Sequence, residues 1–129
     1  MSYEPNEFEV RNVLRLPGDQ RYGYLLTKAV DWLELWSCRD DNGWALGSHD
    51  GRETIPVWPA RAYAELCLTG AWAGAQAQSI SLGDWVEKWL PGMIRDDRLV
   101  AIFPTPDGKT TVVGPRAFHA DIQDQLRRS

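Results

Sequence analysis

Asp40-Asp41-Asn42-Gly43-Trp44-Ala45-Leu46-Gly47-Ser48-His49-Asp50-Gly51 carries two turn dipeptides, Asn42-Gly43 and Asp50-Gly51, within one short span. Asn-Gly and Asp-Gly tolerate the positive φ that a tight hairpin demands, so each marks a point where a strand reverses. The flanking runs, Leu33 to Cys38, Trp44 to Gly47 and Thr54 to Trp58, are rich in Trp, Leu, Ile and Val. Together they predict three antiparallel strands arranged as a meander.

Upstream the hydrophobic period changes. Tyr22, Leu25, Leu26, Ala29, Val30 and Leu33 recur at i, i+3 and i+4 spacing, which predicts an amphipathic helix over 18–32. Pro17-Gly18 separates it from a shorter helix near 6–15, striped by Val10, Val13 and Leu14 and capped by Asn6 with Glu9.

Downstream, Pro59 suits the first turn of a helix, where its missing N–H costs nothing. Tyr63, Leu66 and Cys67 form that helix's inner stripe, and Gly70 suits the position after its end. Residues 71–79 read as a loop with room for a short edge strand. Ser81 as cap, Asp84 three residues later and the Ile80/Trp85 pair predict another helix, striped by Leu82, Trp85, Val86, Trp89 and Leu90 and stopped by Pro91-Gly92. Arg98–Phe103 and Thr110–Val113 predict a hairpin around Pro106-Asp107-Gly108, and Pro115 opens a final helix facing inward through Phe118, Ile122 and Leu126. The expectation is one α+β domain over 1–129: a mainly antiparallel sheet of about five strands, meander plus C-terminal hairpin, covered by four to five helices.

At 129 residues and 43% hydrophobic content the chain can bury a core without a staple. A net charge of −4 and the absence of long basic runs argue against nucleic-acid binding. Cys38 and Cys67, 29 residues apart in apolar segments, read as reduced core thiols. The first residues, Met1-Ser2-Tyr3-Glu4-Pro5, carry no basic, apolar leader, and no stretch has the length of a membrane span, so a cytoplasmic location is expected.

Reactive chemistry is sparse. His49 sits in a Ser-His-Asp-Gly turn and His119 on the outer edge of the last helix, too few ligands for zinc. No nucleophile elbow or phosphate loop occurs: Gly108-Lys109-Thr110 precedes a strand rather than a helix. Asp40-Asp41-Asn42-Gly43 lacks the alternating oxygens and closing Glu of a calcium loop. What stands out is seven tryptophans. Trp85 and Trp89 fall on a helix stripe, Trp32 and Trp36 flank the start of the first strand, Trp44 and Trp58 lie on neighbouring strands, and Trp72 sits in a loop.

Asp41-Asn42-Gly43-Trp44-Ala45-Leu46, Ile55-Pro56-Val57-Trp58-Pro59, Tyr63-Ala64-Glu65-Leu66-Cys67, Trp85-Val86-Glu87-Lys88-Trp89-Leu90-Pro91-Gly92 and Val100-Ala101-Ile102-Phe103-Pro104 occur in this order. Over residues 20–127 the chain resembles the bacterial domain-of-unknown-function family 2750. The resemblance implies a small single-domain protein and transfers no catalytic or ligand residue.

The expected function is a non-enzymatic protein-binding module, with no cofactor and no metal, of which an immunity protein neutralising a cognate bacterial toxin is one form. Its contact residues would be Asp40, Asp41, Trp44, Trp58, Arg61, Trp72, Asp96 and Asp97, aromatic anchors beside acidic turns that meet a basic toxin. The alternatives are a small-molecule binder or an enzyme without a recognisable motif, using a Trp-lined pocket, and a regulatory or structural subunit.

Overall fold

The computed structural model describes residues 2–129. Helix α1 (Glu7–Leu14) starts where Asn6 accepts a hydrogen bond from the Glu9 amide at 2.9 Å. Helix α2 (Gly18–Trp32) follows Pro17 and ends at Leu33 in the left-handed region (φ 57°). Both helices fall where their apolar period places them.

Four strands come next: β1 (Glu34–Asp40), β2 (Gly43–Trp44), β3 (Gly47–His49) and β4 (Arg52–Val57). Each glycine turn makes its hairpin, β1 with β2 and β3 with β4, and Asp50 and Gly51 both take positive φ. The meander, however, is divided. Strands β2 and β3 belong to different sheets, one ordered β2-β1-β5 and the other β3-β4-β6-β7. The sheets meet through a single antiparallel bridge, where Trp36 and Trp58 exchange two backbone hydrogen bonds of 2.8 Å. Ser37 reinforces it by donating to the Pro56 carbonyl at 2.7 Å. Pro56 is tolerated inside β4 because it lies beyond the last residue paired with β3.

Helix α3 spans only Arg61–Glu65, so Pro59 precedes it and Gly70 belongs to a later 3₁₀ turn, Gly70–Trp72. Leu66, expected inside, is exposed. The segment after Gly70, with its room for a short edge strand, contains β5 (Gln76–Ser81), an edge strand that pairs with β1 along six residues. Ser81 then caps the next helix through the Asp84 amide at 3.1 Å.

That helix does not stop at Pro91. Helix α4 (Leu82–Asp84) passes through a π turn (Trp85–Trp89) into α5 (Leu90–Arg95). The Leu90 amide reaches back five residues to the Trp85 carbonyl. The wider turn accommodates Pro91, whose ring would clash with the preceding carbonyls in a regular helix. Strand β6 (Leu99–Ile102) forms the expected hairpin with β7 (Thr111–Val113), but it also pairs in parallel with β4, Thr54 opposite Leu99 through Val57 opposite Ile102. The architecture is therefore α+β with two sheets, antiparallel but for one pair, in place of the single mainly antiparallel sheet of about five strands. Helix α6 (Pro115–Arg128) buries Phe118 and Ile122 and leaves Leu126 at 40% exposure.

Candidate functional site

The core takes most of the aromatic residues. Trp58 and Trp85 are fully enclosed, and Trp36 nearly so. Trp58 donates its indole N–H to the Pro104 carbonyl at 2.9 Å, and its ring meets Trp72 edge to face, 6.0 Å between centroids at 89°. Trp58 is thus a core residue, not the contact residue expected of it. Trp72 is half-buried on top of it, with its indole N–H 3.4 Å from the Leu46 carbonyl, and so is less free than a loop position suggests.

Three surface hollows converge on the hairpin segment at 39–46. The first, about 430 Å³, has Trp44, Leu46, Trp89 and Met93 as its apolar part, with Lys88, Asp96 and Arg98 among its polar groups. Trp44 and Trp89 meet in it edge to face at 4.7 Å and 85°. A smaller hollow of about 210 Å³ runs between the same Trp44–Leu46 segment and Trp72. The third, about 580 Å³, is polar and lined by Arg39, Asp40, Asp41, Gln76 and Gln78.

Asp40, Asp41, Trp44, Trp72 and Asp96 therefore line connected parts of one face. Asp40 also organises the turn, accepting from the Asn42 amide at 2.8 Å. Arg61 lies apart, its guanidinium 5.0 Å from the centre of the Trp36 ring. Asp97 turns the other way (φ 56°) and pairs with Arg52 at 2.6 Å. Adjacent Asp96 and Asp97 thus serve different surfaces.

Trp89, Leu46, Lys88 and Arg98 are members of this face that sequence reasoning missed. Its four-residue spacing from Trp85 predicts Trp89 in the core. The π turn over Trp85–Trp89 is wider than an α turn, so Trp89 does not fall on the stripe that α-helical spacing predicts. Trp89 is half-buried as a result and stacks on Trp85 at 5.6 Å while facing Trp44. Leu46, 39% exposed, follows the end of β2, where the chain passes between the sheets.

Charges on the face are balanced: Arg39, Lys88 and Arg98 stand against Asp40, Asp41 and Asp96. Arg39 also covers the Trp44 ring at 5.2 Å. His49 pairs only with its neighbour Asp50 at 3.4 Å, and His119 lies 3.3 Å from Gln123. Among the described residues, no three His, Cys, Asp or Glu side chains are grouped to hold a cation. No described helix is long and apolar enough to cross a membrane.

Comparison with protein-family models matches residues 22–122 to the family described as protein of unknown function (DUF2750). The chain belongs to the DUF2750 family. The match runs from within α2 to within α6, so the two sheets, the bridged tryptophans and the grooved face all lie inside the DUF2750 region. Helix α1 lies outside it. Comparisons with curated proteins and with solved structures return no match.

Proposed function

We propose that this DUF2750 domain is a non-enzymatic protein-binding module whose contact surface is the grooved face around Trp44 and Trp89. The observation that supports it is the convergence of three hollows on residues 39–46, with half-buried aromatics and exposed Leu46 at the centre and charged groups around them. Binding hot spots have this anatomy: aromatic anchors, partly preformed pockets and a polar surround. Rigid anchoring favours it as well, because Trp44 is held by Trp89 on one side and Arg39 on another.

An immunity protein that covers the cleft of a basic toxin is the role that suits a small acidic domain. Since the face itself is charge-balanced, long-range steering would come from the net charge of −4. Purification of the tagged chain from its native host tests the reading. A stoichiometric protein partner should appear with the wild type and disappear with Trp44→Ala and Leu46→Asp, while Phe8→Ser on distant α1 retains it. Absence of any partner, or a partner indifferent to the first two changes, would sink it.

A further inference from the structure

A further cleft of about 360 Å³ lies beside the strands β3, β4 and β6, bounded by the 3₁₀ turn that carries Trp72 and by the loop 104–110. Its lining contains no charged side chain. Hydroxyls of Ser48, Thr54, Thr69, Thr105 and Thr110 and the thiol of Cys67 supply its polarity.

Thr54 makes this more than a dent. The residue is 4% exposed, yet its hydroxyl forms no hydrogen bond with any of the described residues and keeps an accessible face in the cleft. Buried hydroxyls are ordinarily paired, so an available one marks a place for an outside partner. Gly47 keeps the approach open. A Cβ there would stand 2.8 Å from Thr54 Oγ1 and 3.8 Å from the Trp72 ring, although the Gly47 backbone does not itself require glycine.

The far wall is fixed in advance. The Pro104 carbonyl accepts from both the Trp58 indole (2.9 Å) and the Cys67 thiol (3.3 Å). Fully buried Phe103 takes a left-handed φ of 47°, a strained conformation that turns the chain from β6 into this loop. The volume sits at the small end of the roughly 300–1,000 Å³ range of ligand pockets. A charged guest would lose its hydration without meeting a counter-charge.

We infer that the cleft between Thr54, Trp72 and the 104–110 loop binds a small uncharged ring compound with hydrogen-bonding groups on its edge. Thr54 would supply the open hydroxyl, and Trp72, Pro104 and Pro106 the apolar contacts. The cleft shares Trp72 with the edge of the proposed partner face, whereas Gly47 and Thr54 line the cleft alone.

Titration of the ¹⁵N-labelled protein with uracil and nicotinamide, and with their acids orotate and nicotinate, tests the inference through the Trp72 indole N–H resonance. At least one neutral probe should shift that resonance saturably, with its acid weaker by about tenfold or more. Gly47→Val should abolish the response and Thr54→Val should weaken it about threefold to tenfold, one hydrogen bond's worth. Far-UV dichroism and thermal midpoints identify any variant that fails to fold. If Gly47→Val does, the Thr54→Val comparison decides. No saturable shift from either neutral probe, equal binding of the acids, or undiminished binding by the folded variants overturns it. Loss of the site with partner capture intact would leave the protein-binding reading standing.

Discussion

Trp36 and Trp58 hydrogen-bond to each other through both backbone amides at 2.8 Å, and this bridge joins the two sheets with the help of the Ser37 hydroxyl on the Pro56 carbonyl. The Trp58 side chain extends the junction by donating to Pro104, so one residue links β1, the end of β4 and the loop after β6.

Trp58→Phe keeps the ring but removes that donor and leaves unfilled space. A loss of about 1–3 kcal/mol is expected. Urea unfolding should show a lower midpoint with an unchanged slope. A midpoint equal to that of the wild type would show that the indole hydrogen bond contributes nothing.

All four tyrosines resist ionisation. Burial is the largest cause at each, and it pushes Tyr63 up to about 12 and Tyr3, Tyr22 and Tyr24 higher still. Native values above the unfolded 10.0 mean that the folded chain holds these protons more tightly. Their contribution to stability is complete below pH 10 and is lost as pH rises towards 12. Absorbance at the tyrosinate band should therefore show no step near pH 10, and its rise should coincide with loss of structure.

Glu9 behaves in the opposite sense. The Tyr3 hydroxyl chiefly, and the Tyr24 hydroxyl at 2.8 Å, donate to its carboxylate and hold it below the ordinary 4.5. Its stabilisation is present above that value and fades as pH falls through the native one. Glu9→Gln should lower stability at pH 7 and flatten the acid limb of the stability–pH curve. An acid limb identical to that of the wild type would contradict the assignment.

Burial raises both thiols, Cys38 and Cys67, to about 11. At pH 8 a thiol-exchange reagent should label the native protein on the order of a hundredfold more slowly than a free cysteine. In denaturant both should react at once. Fast native labelling of either would place it at the surface.

Gly18 opens α2, where alanine is ordinarily the better helix former. A Cβ at this position would lie 2.4 Å from Thr111 Oγ1. Gly18→Ala should therefore destabilise by about 1–2 kcal/mol, against its helix propensity. In a Thr111→Ala background the same change should become neutral or favourable. Equal effects in both backgrounds would rule out the contact.

Local chemistry was legible in the chain wherever a few neighbouring residues suffice. Asn6 and Ser81 cap the helices expected of them, the Asn42-Gly43 and Asp50-Gly51 turns form hairpins, and α2 occupies 18–32. Of the contact residues, Asp40, Asp41, Trp44, Trp72 and Asp96 share a face, while Trp58 is core and Arg61 and Asp97 point elsewhere. Indole burial cannot be read from a tryptophan's neighbours in sequence, because it depends on which distant ring covers it.

Periodicity, turn residues and capping groups set the type and order of most elements, since each acts within a turn or two of chain. Tertiary structure alone set the division of the meander, the parallel pairing of β4 with β6 after a long crossover, and the passage of a helix through Pro91. Those depend on contacts between segments far apart in the chain or on a π turn that no local preference announces. The tryptophan-bearing hairpin at 40–51 shows both at once. Its turns are written in its own residues, whereas the half-burial of Trp44 and the open hydroxyl beside Gly47 come from Trp89, Thr54 and Trp72 arriving from elsewhere in the fold.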